Sequence, residues 1–179
     1  MDYTVWTDGG CVDNPNGKGG YGVVILDNQT NMTKELSEGF LSTTNNRMEV
    51  RAIIRALSEL PDGASAMIYS DSKYAINVIT GVWSRGKNTD LWPIVDTELA
   101  KKGHIEFCWV KGHADNENNN RCDELATYAQ TKNESEMIPD DGFIPLPKVD
   151  KPDKPKKSKT TKSGTNAMFT IIEPMIPLR

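Results

Sequence analysis

A chain of 179 residues has room for one domain of ordinary size plus a tail, and too little for two full cores. With 37% hydrophobic and 26% charged residues, no run of eighteen apolar residues and no basic-then-apolar leader in MDYTVWTDGG, neither a membrane span nor a secretory signal is expected, and the expected location is the cytoplasm. The net charge of −4 is unevenly divided: residues 148–179 carry eight Lys/Arg against three Asp/Glu (+5) and residues 1–147 carry 13 against 22 (−9), so an acidic body excludes coating of a polyanion by bulk attraction and leaves only local binding.

Tyr3 to Cys11 reads as a strand and Gly20 to Asp27 as another, separated by the turn formers DNPNGKGG. Met32 to Leu41 completes a three-strand meander. From Asn46 to Leu60 the pattern switches to helical period, with Val50, Ile53, Ile54, Leu57 and Leu60 on one face, and PDG at 61–63 stops it. Ala64 to Ser70 is a short buried strand, followed by a helix from about Ser72 to Thr80. A helix from Leu91 to Lys102 ends at Gly103, His104 to Val110 is a strand, and Asn119 to Gln130 is a last amphipathic helix. The order βββαβααβα predicts an α/β fold: a five-stranded mixed sheet, an antiparallel meander plus parallel strands, flanked by helices.

Past Gln130 the composition turns Pro-, Lys- and Asp-rich with no period. Residues 1–131 are therefore expected to be the domain, 132–164 a disordered linker or tail, and 165–179, where AMFTIIEPMIPLR turns apolar again, a peptide that docks on a protein partner the sequence does not name. Cys11, Cys108 and Cys122 are odd in number and lack zinc spacing, so they read as reduced thiols packed as small apolar groups.

Four acidic residues carry the chemistry. Asp8 and Asp71 stand near the ends of strands expected to be adjacent, where open α/β sheets keep their ligand crevice; Glu49 lies in the first turn of a helix at the edge of its buried face, and Asp123 near the start of the last helix. Each has a plainer structural explanation. Asp8 beside two glycines suits a turn, Asp71 and Asp123 suit helix N-termini, and Asn46 with Glu49 has capping-box spacing. If the elements pack as expected, however, several like charges share a few ångströms, an arrangement tolerated when a dication occupies it. Oxygen ligands with no convergent Cys or His indicate magnesium or manganese over zinc, and a metal pair at such a site serves phosphodiester cleavage.

The contexts of these residues are TDGG (7–10), TTNNRME (43–49), YSDS (69–72) and GHADNENNNRCDELA (112–126), and with TDGGCVDNPNGKGGYG at the amino end they resemble the type 1 ribonuclease H family over roughly residues 3–131. The resemblance implies a ribonuclease H-like fold and a sequence-nonspecific endonuclease that cuts the RNA strand of RNA·DNA hybrids, leaving 5′-phosphate and 3′-hydroxyl ends. It implies Asp8, Glu49, Asp71 and Asp123 as ligands of two Mg²⁺ ions in the substrate complex, with Mn²⁺ as a substitute. His113, ten residues before Asp123, would assist proton transfer or product departure; His104 reads as structural. Gly10, Asn14, Asn45 and Asn46 would touch the hybrid's minor groove, where 2′-hydroxyls distinguish RNA, and Thr44 a phosphate of the DNA strand. The protein is expected to be a monomer.

Two departures from the family pattern stand out. Ser42 replaces an arginine that many relatives carry two residues before the threonine matching Thr44, and the basic, Trp-bearing protrusion of some relatives is reduced to Gly81–Asp90, with Arg85 and Lys87 as its cations. Other readings are a catalytically silent hybrid-binding module, which loss of a carboxylate would mark and none is lost, and a detached reverse transcriptase domain. Transposases, integrases and actin-like ATPases share the strand-borne aspartate but need further domains. The seven lysines between Lys148 and Lys162 are expected to supply nonspecific attraction for the acidic body. Deleting residues 148–179 should accordingly weaken hybrid binding, most at low salt, in an anisotropy titration; an unchanged affinity and salt slope would retire that role.

Overall fold

The computed structural model describes residues 1–112 and 116–145. His113, the Lys-rich stretch from Lys148 and the apolar segment 165–179 lie outside the described residues. Strands β1 (Tyr3–Cys11), β2 (Gly19–Asp27) and β3 (Thr33–Phe40) are followed by helix α1 (Asn45–Glu59), β4 (Ser65–Ser70), α2 (Lys73–Ile79), α3 (Trp92–Ala100), β5 (His104–Trp109) and α4 (Glu117–Gln130). Every expected element is present, displaced by at most two residues at an end, where helices fray and strands stop pairing.

The strands form one mixed sheet in the order β3-β2-β1-β4-β5. β1 pairs antiparallel with β2 and parallel with β4, which pairs parallel with β5. Alternation along the strands separates two cores. Val5, Val23, Ile25, Ala66 and Ile68 pack with Met48, Ile53 and Leu57 of α1 and with α2 and α3, whereas Trp6, Val24 and Tyr69 on the other face meet Cys122 and Leu125 of α4. Trp6 and Tyr69 stack across β1 and β4 with ring centroids 5.8 Å apart.

Residues 132–145 correct one expectation. The sequence there lacks apolar periodicity, but it does not continue as a disordered tail: Glu134–Glu136 forms a 3-10 turn capped by Asn133, and Ile138 bridges Phe40 of β3. The stretch is ordered by polar anchoring, with Asp140 buried against α1, so a rule based on apolar burial did not see it.

Helix α4 can lie on the sheet only because β2 presents glycine to it. A Cβ on Gly22 would enter the backbone of Cys122 and the side chain of Leu125. Gly22→Ala should therefore push α4 away from the sheet and destabilise the domain by roughly 1–3 kcal/mol. Urea unfolding checks the loss, and an unchanged midpoint would mean that the helix sits farther off than this packing requires.

Candidate active site

The parallel register of β1 and β4 ends at the pair Thr7↔Ser70, so the next residue on each strand, Asp8 and Asp71, emerges side by side at the same end of the sheet. Glu49 reaches them from α1. The N-terminal turns of that helix approach β1 at Gly9, where a Cβ would enter the Met48–Glu49 backbone. One carboxylate oxygen from each of Asp8, Glu49 and Asp71 lies within 4.8 Å of the other two. Among the described residues no other group of three acidic, Cys or His side chains converges in this way. Asp123, on α4 at the opposite face, is near enough to interact with Asp8 both by charge and by a side-chain hydrogen bond.

The electrostatics follow from this crowding. Burial, and after it the charge of Asp71, pushes the Asp8 carboxyl up to about 7, against a hydrogen bond donated by the Gly9 N–H at 2.8 Å. Burial likewise raises Glu49 well above the carboxylate range, with the charges of Asp8 and Asp71 adding to it. Glu49 Oε2 is out of solvent and has no hydrogen-bond partner. Two full charges 4.8 Å apart repel by roughly 3.5 kcal/mol at an effective dielectric near 20. An orphaned buried carboxylate oxygen within a cluster of like charges is the donor set of a hard divalent cation, so the residues present fit such an ion.

Asn46 and Glu49 do not form the capping box their spacing allows. The N-cap of α1 is Thr44, whose Oγ1 accepts from the Arg47 N–H at 3.4 Å, which leaves Glu49 free to turn toward the sheet. At the site's edge Trp109 Nε1 donates to the Asp71 carbonyl at 2.9 Å, and Gly112 lies against the Asp71 carboxylate.

Asn14, Thr44, Asn45 and Asn46 line one open cleft of about 670 Å³. The Asn45 N–H donates to Asn14 Oδ1 at 3.0 Å and ties the β1–β2 turn to the first turn of α1. Gly10 is not part of that cleft: it lies farther along β1, facing the side-chain amide of Gln130.

The family model for RNase H matches residues 1–131. The chain belongs to the type 1 ribonuclease H family. It is 40% identical over 154 residues to ribonuclease HI of Synechocystis, spanning 78% of this chain and 93% of that one. Ribonuclease H of Syntrophus aciditrophicus is 42% identical over 139 residues, 70% of this chain and 78% of the relative. Among solved structures, LC11-RNase H1 in complex with an RNA/DNA hybrid superposes with a TM-score of 0.60 at 28% identity, covering 71% of this chain and 95% of that one. The N-terminal RNase H domain of a Mycobacterium tuberculosis protein, solved as a fusion with maltose binding protein, gives 0.63 at 25% identity, covering 72% and 92%. The enzyme is thus a hydrolase of the ribonuclease H class.

What the sequence did not reveal about this ribonuclease H is the far wall of the cleft. Lys87, Asn88, Thr89 and Asp90 face Thr44 and Asn45 across it, and Gly142, Phe143 and Ile144 close a third side. Arg47 was legible only as a letter of TTNNRME, and a lone PDDG around Asp140 signals a turn rather than a buried acid.

Raised carboxyls make a pH prediction with a definite sign. The unfolded chain releases the Asp8 proton near 3.8 whereas the folded one keeps it to about 7. This group's stabilisation is therefore complete below the lower value and disappears as pH rises through the upper one. In EDTA, the wild-type unfolding temperature should fall from pH 5 to pH 8 more steeply than that of Asp8→Asn, as read by circular dichroism; parallel curves would mean that Asp8 is not strained by its neighbours.

Proposed function

We propose that this ribonuclease H hydrolyses the RNA strand of RNA·DNA hybrids without regard to base sequence, at a divalent magnesium site held by Asp8, Glu49, Asp71 and Asp123. The observation that carries this reading is the convergence of half-buried like charges near the ends of β1 and β4, with Glu49 Oε2 left without a partner. Bound there, magnesium would supply Lewis-acid chemistry, neutralising phosphate charge and lowering the pKa of an attacking water. The solved relative that holds an RNA/DNA hybrid supports the choice of substrate.

The remaining work belongs to the chain. Asp8, Glu49 and Asp71 are held at fixed separations by strand register and by backbone contact at Gly9, so they need no reorganisation to act together. The Thr44 hydroxyl uses a lone pair on the Arg47 N–H, which leaves its proton to donate to a phosphate oxygen of the DNA strand. Asn14 accepts from Asn45 through its carbonyl oxygen, so its NH₂ remains a donor toward the minor groove alongside the Asn45 and Asn46 side chains and the backbone at Gly10. Readout by backbone and amide donors touches sugar and phosphate more than base edges, in keeping with cleavage at any sequence. His113 is assigned proton transfer or product departure. Attack on phosphorus with the 3′-oxygen leaving gives 5′-phosphate and 3′-hydroxyl ends, and the cytoplasm is the proposed location.

Labelled RNA·DNA, RNA·RNA and DNA·DNA duplexes incubated with Mg²⁺ test the reading. Only the hybrid should be cut, in its RNA strand. Asp8→Asn, which keeps volume and removes charge, should fold and cut more than roughly 100-fold more slowly, beyond the 10- to 100-fold typical of losing a ligand's supporting hydrogen bond. Cleavage that persists in excess EDTA would overturn it.

A further inference from the structure

Beyond the region the family model matches, one buried side chain pairs with two arginines. Asp140 has no exposed side-chain surface. It accepts from Thr43 Oγ1 at 2.5 Å, from Arg47 Nε at 2.6 Å and Nη2 at 2.9 Å, and from Arg51 Nε at 2.6 Å. Burial would raise its carboxyl, but the hydrogen bonds from Arg47 and Thr43 hold it below the ordinary value. Arg47, whose side chain is 3% exposed, also donates to Asp90, Nη1 at 2.8 Å and Nη2 at 2.7 Å, and to the Asp141 carbonyl. The Phe143 ring covers the guanidinium at 5.6 Å.

Arg47 lines the cleft, yet each of its three guanidinium nitrogens donates to an acceptor within the protein. Its effect is to join three walls: the first turn of α1, which bears Thr44, Asn45 and Asn46; the Lys87–Asp90 loop opposite; and the crossing segment 140–143. Two arginines and two aspartates make the cluster neutral as a whole. Remove the Asp140 charge and Arg47 is left with the carboxylate of Asp90 and Arg51 with the neutral Asp141 carbonyl, so the span between Thr44 and Asn88 is less firmly set from behind. The carboxylate cluster does not share this support, because Asp8 and Asp71 are placed by strand register and Glu49 by the contact at Gly9.

We infer that Asp140 is a positioning residue for the sugar–phosphate backbone that lies in this cleft, holding its opposite walls at a fixed span through Arg47 while leaving the reacting end of the site untouched. The inference rests on the proposed hybrid substrate, and it separates strand binding from chemistry in a way that a purely structural role does not.

The test uses the full chain with Asp140→Asn, which keeps shape and an acceptor oxygen, with Phe143→Ala as a milder change, and with Val78→Ala as a control destabilised in the core away from the cleft. Hybrid cleavage is measured with Mg²⁺ well below the lowest unfolding temperature of the set. Asp140→Asn should raise KM about tenfold, the equivalent of 1.4 kcal/mol, with kcat within about twofold of wild type. Phe143→Ala should move KM the same way by about threefold and carries the test should Asp140→Asn fail to fold. Val78→Ala should leave KM unchanged. A KM equal to wild type in the folded variants, a loss confined to kcat, or an equal rise in Val78→Ala would overturn the inference. Anisotropy titration of labelled hybrid in EDTA separates this from the proposed activity: wild type that binds the hybrid in EDTA but does not cut it once Mg²⁺ is supplied refutes the activity, whereas equal Kd for wild type and Asp140→Asn refutes the positioning role.

Discussion

The site depends on one register. Parallel pairing of β1 with β4 stops at Thr7↔Ser70, and that single pairing sets Asp8, which stays paired with Gly22 of β2, beside Asp71, the first residue past β4. A slip by one residue would turn Asp8 to the other face and dissolve the cluster. The register is specified by burial on both faces, Val5 and Ile68 toward α1, Trp6 and Tyr69 toward α4, so the repulsion among the carboxylates is borne by two apolar cores. Neither core can relax it without exposing its own strand residues.

Helices deliver the remaining acids from opposite sides by the same device. α1 meets β1 at Gly9 and α4 meets β2 at Gly22, each with helix backbone where a Cβ would stand. At that distance the first turns of α1 can bring a side chain as short as Glu49 to the strand end, and Asp123, one residue after Cys122, comes to Asp8. Side-chain contacts between helix and sheet would hold the helices farther off and leave both acids short of the site. The glycines of TDGG and GGYG thus serve packing geometry as much as the turn between the strands.

This explains which parts were legible in the sequence. Period 2 in β1 and β2 and period 3.6 in α1 are direct imprints of burial, so the element order and sheet type could be read, and strand ends carrying Asp8 and Asp71 followed. Glu49 at the edge of an apolar helical face was readable for the same reason. The capping of α1 was not, because Thr43, Thr44, Asn45 and Asn46 offer competing caps and tertiary ties, Asn45 to Asn14 and Thr43 to Gly17 and Asp140, fix the stretch with Thr44 as the cap. The cleft's far wall was invisible for a different reason: Arg47, Asp90 and Asp140 are 43 to 93 residues apart and held by charge, which leaves no period in a sequence.

The two supports suit the two tasks proposed for them. Chemistry at closely spaced carboxylates tolerates little movement, and it is mounted on backbone contacts and strand pairing, the stiffest connections in the molecule. A duplex strand bound by nonspecific contacts requires a groove of constant width more than any one strong contact. An arginine paired with two carboxylates would provide that width without adding net positive charge to the cleft wall. In a body carrying −9, a free cation at that place would strengthen the hold on phosphate, but it would do so at every phosphate alike and slow departure of the products. With Arg47 neutralised from behind and Ser42 turned to the Asn16 carbonyl, attraction for the proposed substrate would fall to Lys87 and to neutral donors, and the span of the walls would become the property on which the proposed binding turns.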